Sequence, residues 1–211
     1  MPRPVPILTL RFRSMKSLFA RLRRYFARRQ NNRRNERAED FLKALLEAGS
    51  DLPRSAWDAL FRRLGLDRNA AAQTLGRLVL EGRITVTADA VALTPKGRHD
   101  ALALMRAHRI YEQYLAEHSG YAPSEWHERA HHMEHRLDAR ERERMAALLG
   151  NPLFDPHGDP IPTAGLALPA LPESSDETPG QCAEAGALLR VVHIEDDDAR
   201  RFARIAATGL A

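Results

Sequence analysis

The sequence predicts a mainly α-helical protein, with an N-terminal winged helix-turn-helix followed by an all-α unit. Three observations predict it. Between Glu36 and Glu81, apolar residues recur at helical spacing in three runs separated by glycine-containing breaks. A short alternating run rich in β-branched residues follows, Arg83–Thr87, and Ala90–Leu93 returns beside it. From Thr94 the helical pattern returns, and seven of the nine histidines fall between His99 and His135.

The chain opens on a basic arm, taken as residues 1–35. Residues 1–37 hold twelve Arg/Lys and one acid, a net of +11, whereas the other 174 carry 20 bases and 27 acids, a net of −7. Such an arm suits nucleic-acid phosphates, an anionic membrane surface reached through residues 12–34, or a solvated tail. Phe19, Leu22 and Phe26 line one side of a short amphipathic stretch within it. Met15 is an alternative start for the chain.

The winged unit is expected over residues 36–95. Its first helix runs from Glu36 to Ala48, with Phe41, Leu42, Leu45 and Leu46 inward and Gly49 as terminator. A second helix is expected over Pro53–Leu64, on Trp57, Leu60, Phe61 and Leu64. The break at Gly65-Leu66-Asp67 leads into a third helix, Arg68–Glu81, closed by Gly82. Arg83–Thr87 and Ala90–Leu93 then make a two-stranded wing around Ala88-Asp89. The third helix is expected to present Arg68, Asn69, Gln73, Thr74 and Arg77 to a ligand. Asn and Gln can pair bidentately with adenine, and Arg with guanine or phosphate. A winged unit used only for protein contacts is the plainer alternative.

Thr94-Pro95 caps a long helix. Along it His108 and Glu112 interrupt an apolar stripe of Leu104, Met105, Tyr111 and Leu115. Ionisable groups on a buried face need partners, because desolvating them alone is costly. The next helix supplies them: His127, His131, Glu134 and His135 share an arc of roughly 100° at the helical period, beside a stripe of Trp126, Ala130, Met133 and Leu137. Imidazole nitrogen and carboxylate oxygen are the ligands divalent transition metals take. A metal site is the sharp expectation, and a solvated histidine-rich face the plain one. Asp138–Leu149 reads as a salt-laced solvated helix, and Asn151–Pro162 is too proline-rich for regular structure. Residues 163–186 have linker composition; Leu188–Ile194 reads as a strand and Asp198–Ala207 as a helix.

Other classes are disfavoured. No apolar run reaches the ~20 residues that span a bilayer. The single Cys182 excludes an intramolecular disulfide and suggests a reducing, cytoplasmic setting. No His-Glu-x-x-His zinc-protease spacing, phosphate loop or nucleophile elbow is present, so no enzyme is expected.

The parts and their order resemble the DtxR family of iron- and manganese-dependent transcriptional repressors. The resemblance rests on Leu93-Thr94-Pro95-Lys96-Gly97-Arg98, on Met105-Arg106-Ala107-His108-Arg109, on His127 with Glu134-His135, and on Gly158-Asp159-Pro160-Ile161-Pro162. It implies that residues 96–162 are a metal-binding and dimerisation domain and that 187–211 begin an SH3-like barrel. It implies one metal site of Asp40, His131, Glu134 and His135, and a second of His108, Glu112 and His127, with Asp198 the nearest candidate for an acid added by the barrel. Mn(II) or Fe(II) is the implied metal, with Zn(II) and Co(II) compatible. His131 departs from the Glu or Cys of the two metal-sensing groups. Lys43 stands where manganese sensors place an acid. Asp40 belongs to the winged unit and His131, Glu134 and His135 to the next. Shared coordination would therefore fix the two units together, setting the recognition helices of a homodimer for a palindromic double-stranded DNA operator. The alternative implied is a cytoplasmic metal-sensing module associated with a membrane metal ABC transporter.

Overall fold

The computed structural model describes residues 32–169, 190–194 and 199–209. The basic arm up to residue 31, most of the expected linker, Cys182 and Asp198 lie outside the described residues.

Helix α1 spans residues 32–47 and its apolar side forms the floor of the first core: Phe41, Leu42 and Leu45 are fully buried. The single helix expected from Pro53 is divided. Asp51–Pro53 is a strand, β1; Arg54–Ala56 is a 3-10 turn; and helix α2 runs only from Trp57 to Arg63. Pairing with the wing explains the division, because β1 aligns Leu52 opposite Val91 of β3 (Ala90–Leu93). The sheet has three antiparallel strands in the order β1-β3-β2, with β2 at Ile84–Val86. Pro53, which has no N–H to donate, closes β1.

Helix α3 covers Arg68–Leu80, and the Asp67 carboxylate caps it by accepting from the Ala70 N–H at 2.8 Å. Ala71, Thr74 and Leu78 form its buried stripe. Thr74 was expected on the accessible side and is instead 8% exposed. It sits one turn from both Ala71 and Leu78, on the buried stripe of α3.

Helix α4, Pro95–His118, runs from the wing into the second core, with Thr94 Oγ1 accepting from the Gly97 N–H at 3.1 Å. Helix α5, Pro123–Glu134, packs along it. Helix α6, Ala139–Leu148, starts on a capping box in which Asp138 and Glu141 accept from each other's backbone N–H. It is not the solvated helix the charges suggested. Arg106 of α4 grips Glu143 through two bonds of 3.0 and 2.6 Å and donates to the Pro162 carbonyl at 2.6 Å. Arg142 is 8% exposed. The alternating charges are therefore half-turned onto α4, where each buried guanidinium has an acceptor.

The expected strand at 188–194 is not a strand over residues 190–194. That segment lies on the loop after α6, and its Ile194 N–H donates to the His157 carbonyl at 2.9 Å. Helix α7, Ala199–Ala206, follows and buries Phe202 edge-on against the His157 ring, 4.9 Å between centroids. Among the described residues, no strand pairs with residues 190–194. Among the described residues, no helix is long and apolar enough to cross a membrane.

Candidate metal centre

Three helices converge on one polar cluster in an otherwise apolar junction. α1 brings Glu39, Asp40 and Lys43; α4 brings His108 and Glu112, one turn apart; α5 and its cap bring His127, His131, Glu134 and His135. His108, Glu112 and Glu134 are 4%, 1% and 2% exposed, so the fold removes three ionisable groups from water and must satisfy them internally.

The side chains fall into three groups, in each of which the candidate ligand atoms lie within 4.8 Å of one another. Asp40, His131, Glu134 and His135 form the first. His135 Nε2 stands 3.1 Å from Asp40 Oδ1 and 3.6 Å from Glu134 Oε1, and His131 Nδ1 is 3.1 Å from the same Glu134 oxygen. His108, Glu112 and His127 form the second, with Glu112 Oε1 3.0 Å from His108 Nε2 and 3.3 Å from His127 Nδ1. The two groupings expected from sequence are thus each brought together. They also touch: His108 Nδ1 is 2.6 Å from Glu134 Oε2.

The third group, Glu112, Asp155 and His157, had no place in the sequence reading. Glu112 Oε2 lies 3.8 Å from His157 Nδ1, and Asp155 Oδ1 shapes the loop by accepting from the N–H groups of His157 and Asp159, both at 2.9 Å. The signal was present in Asp155-Pro156-His157-Gly158, polar residues in a segment noted only for its prolines. Glu39 was also missed. Its Oε2 is 2.7 Å from His135 Nδ1, leaving Nε2 to face Asp40, as an outer carboxylate orients a ligating imidazole. Its helical position beside Asp40 was the only available hint.

The electrostatics fit a site built around positive charge. Burial alone would raise the Glu134 carboxyl, yet hydrogen bonds from His108 and His131 and the Lys43 ammonium hold it far below the ordinary carboxylate range. Burial also opposes Glu112 ionisation, and His108 overrides it by charge and hydrogen bond. Burial would lower His135, but hydrogen bonds to Asp40 and Glu39 push it up to about 10. Asp155 is pushed up to about 6 by burial, then by the charges of Glu112 and Asp159. Asp40 Oδ1 and Glu112 Oε1 are enclosed, and their contacts with His135 Nε2 at 3.1 Å and His108 Nε2 at 3.0 Å fall short of well-directed hydrogen bonds. Buried oxygens left incompletely satisfied are uncommon, and these two belong to the first and second groups. The donor set is nitrogen and oxygen with no thiolate, which suits divalent transition metals. The residues present therefore fit a metal.

The metal-free protein is expected to be most stable between about pH 4.5 and 6.5. The depressed Glu134 and Glu112 stabilise above their unfolded value of 4.5, and this is lost as pH falls below it. The elevated His135 stabilises below its unfolded value of 6.5, and this is lost as pH rises towards 10. Thermal melts in chelator should show a lower midpoint at about pH 9 than at about pH 5.5; a midpoint still rising at pH 9 would contradict the charge assignment.

Comparison with known proteins places the arrangement. Residues 94–163 match the family model for the iron dependent repressor, metal binding and dimerisation domain. The chain is 32% identical to a solved manganese-dependent transcriptional repressor in complex with manganese, with a TM-score of 0.68, covering 82% of this chain and 79% of that one. The chain belongs to the DtxR family. Another member, the iron-dependent repressor IdeR of Mycobacterium tuberculosis, is 36% identical over 101 residues, 47% of this chain. The match spans 44% of that relative's length, so the chain covers less than half of the curated DtxR-family protein it resembles. A probable metal transport system membrane protein of Chlamydia trachomatis is 34% identical over 85 residues, 40% of this chain and 19% of that protein. His131 belongs to the first group, and Lys43 reaches its Glu134 Oε2 at 2.8 Å.

Proposed function

We propose that the protein is a metal-activated DNA-binding regulator, a repressor of metal-homeostasis genes, acting as a cytoplasmic homodimer without enzymatic activity. The observation that carries this reading is that the first group spans two units. Asp40 rides on α1, at the base of the winged unit, whereas His131, Glu134 and His135 ride on α5. Asp40, His131, Glu134 and His135 would hold one divalent ion, and His108, Glu112 and His127 a second. The ion's charge would satisfy the enclosed Asp40 and Glu112 oxygens. Mn(II) or Fe(II) suits this mixed set, and Zn(II) or Co(II) would be accepted as well. Engagement of α1 by α5 locks the angle of the winged unit, and only a ligand that prefers the locked state can shift the population towards it.

On the DNA side, Arg68, Asn69 and Gln73 are exposed on α3, and Gln73 Nε2 donates to Asn69 Oδ1 at 3.1 Å, which aligns the two amides. Arg77 is half-buried and paired with Glu81 at 2.7 Å, which suits phosphate contact less than base reading by the first turn. Thr74 is withdrawn from the reading surface by its burial. Beside α3 runs a groove of about 880 Å³ walled by Arg33, Arg34 and Arg37 of α1. Replacing these three arginines by Gln should lower the slope of log affinity against log salt by up to about 2.7, at ~0.9 per phosphate contact. An unchanged slope would remove α1 from the DNA footprint.

The experiment is fluorescence anisotropy on DNA from upstream of the protein's own gene, at ~150 mM salt with nonspecific competitor, because the basic arm binds any DNA when salt is low. Mn(II)- or Fe(II)-dependent, competitor-resistant binding is expected. Metal binding without specific DNA binding would favour the second reading, a metal-sensing module attached to a membrane transporter, which the Chlamydia similarity supports. That reading predicts anionic-vesicle binding that disappears when residues 1–34 are deleted.

A further inference from the structure

Lys43 is a cation set inside the candidate metal centre, although an ammonium has no lone pair to offer a metal. Its side chain is 13% exposed, and its Nζ lies 2.8 Å from Glu134 Oε2. It follows Asp40 by three residues on α1, so one helical face delivers a candidate ligand and a positive charge side by side.

The two oxygens of Glu134 have different surroundings. Oε1 faces His131 Nδ1 at 3.1 Å and His135 Nε2 at 3.6 Å, inside the Asp40 group. Oε2 accepts from Lys43 and lies 2.6 Å from His108 Nδ1, at the junction with the second group. Both neighbours of Oε2 would have to give way before Glu134 could offer two oxygens to one ion.

We infer that Lys43 is a built-in cation that restricts Glu134 to one-oxygen coordination and holds down the affinity of the Asp40 group for a divalent metal. This rests on the reading of that group as a metal site. The fixed charge and the ion share one carboxylate, in surroundings where charges are screened far less than in water. The same contact joins α1 to α5 whether or not an ion is bound, so a purely structural ion pair is the competing account.

The test measures Mn(II) affinity of the full chain by electron paramagnetic resonance of free Mn(II), with thermal melts to confirm folding. Lys43→Met and Lys43→Gln remove the charge at similar length, and Lys43→Arg keeps it. The neutral variants should bind Mn(II) at least roughly tenfold more tightly, with Lys43→Arg within about threefold of the parent. Folded neutral variants that bind equally or more weakly would overturn the inference and leave Lys43 as a structural pair. A parent chain that binds no divalent metal would overturn the site itself, so the two failures are distinguishable.

Discussion

Replacing Glu134 by Ala is expected to abolish metal-responsive DNA binding. Glu134 is the buried carboxylate of the Asp40 group, with Oε1 facing His131 and Oε2 against His108 of the second group. Losing even an outer partner of a metal ligand weakens binding about 10–100-fold, so losing a ligand of the Asp40 group itself should exceed about 100-fold. The substitution also strands the Lys43 ammonium and one His108 nitrogen, and removing one partner of a buried pair costs about 3–5 kcal/mol. Lys43 is 13% exposed and can turn to water, which favours the lower end. Glu134→Gln separates the two effects, since it keeps the shape and an acceptor while losing the charge. The measurements are Mn(II) affinity and metal-stimulated anisotropy on the same DNA. A Glu134→Ala protein whose DNA binding still responds fully to metal would sink the assignment.

Gly97→Ala is expected to lower stability by about 3 kcal/mol, the upper end of the usual overpacking range. A Cβ there would fall on the Arg83 carbonyl oxygen and 2.8 Å from its carbon. The backbone it meets cannot retreat. Arg83 N–H donates to the Leu78 carbonyl at 2.9 Å, the Arg83 carbonyl accepts from Thr94 N–H at 3.0 Å, and Thr94 Oγ1 donates to the Gly82 carbonyl at 2.7 Å. These bonds weld the end of α3 to the start of α4, so the added methyl must either displace the wing or tilt α4. For a chain of this size the midpoint should fall by roughly 6–12 °C, read by thermal melting. A shift of about one degree or less would mean the junction is looser than its hydrogen bonds indicate.

Much of the fold was legible because it rests on local periodicity. The runs of Phe41–Leu46, Arg68–Glu81 and Pro95–Glu117 carry their apolar residues at helical spacing, and Thr94-Pro95 and Gly82 mark their ends. The misreadings share one cause: a partner distant in sequence. Pro53 continues a helical pattern until Val91 is known to pair with Leu52, Thr74 looks like a surface hydroxyl until it is buried in one stripe with Ala71 and Leu78, and residues 190–194 are rich in aliphatic residues yet have no paired strand among the described residues.

The same division runs through the site. Spacing along α4 and α5 was enough to put His108 with Glu112, and His127 with His131, Glu134 and His135, on single helical faces. Spacing cannot say that Oε2 of Glu134 meets both Lys43 and His108, that Glu39 turns His135, or that a proline-rich loop returns Asp155 and His157 to Glu112. The sequence by itself determined which groups each helix presents, because helical geometry repeats every 3.6 residues whatever the surroundings. Tertiary structure alone decided which atoms share a charge, because burial makes each ionisable group depend on the nearest oppositely charged partner, and those partners come from other helices.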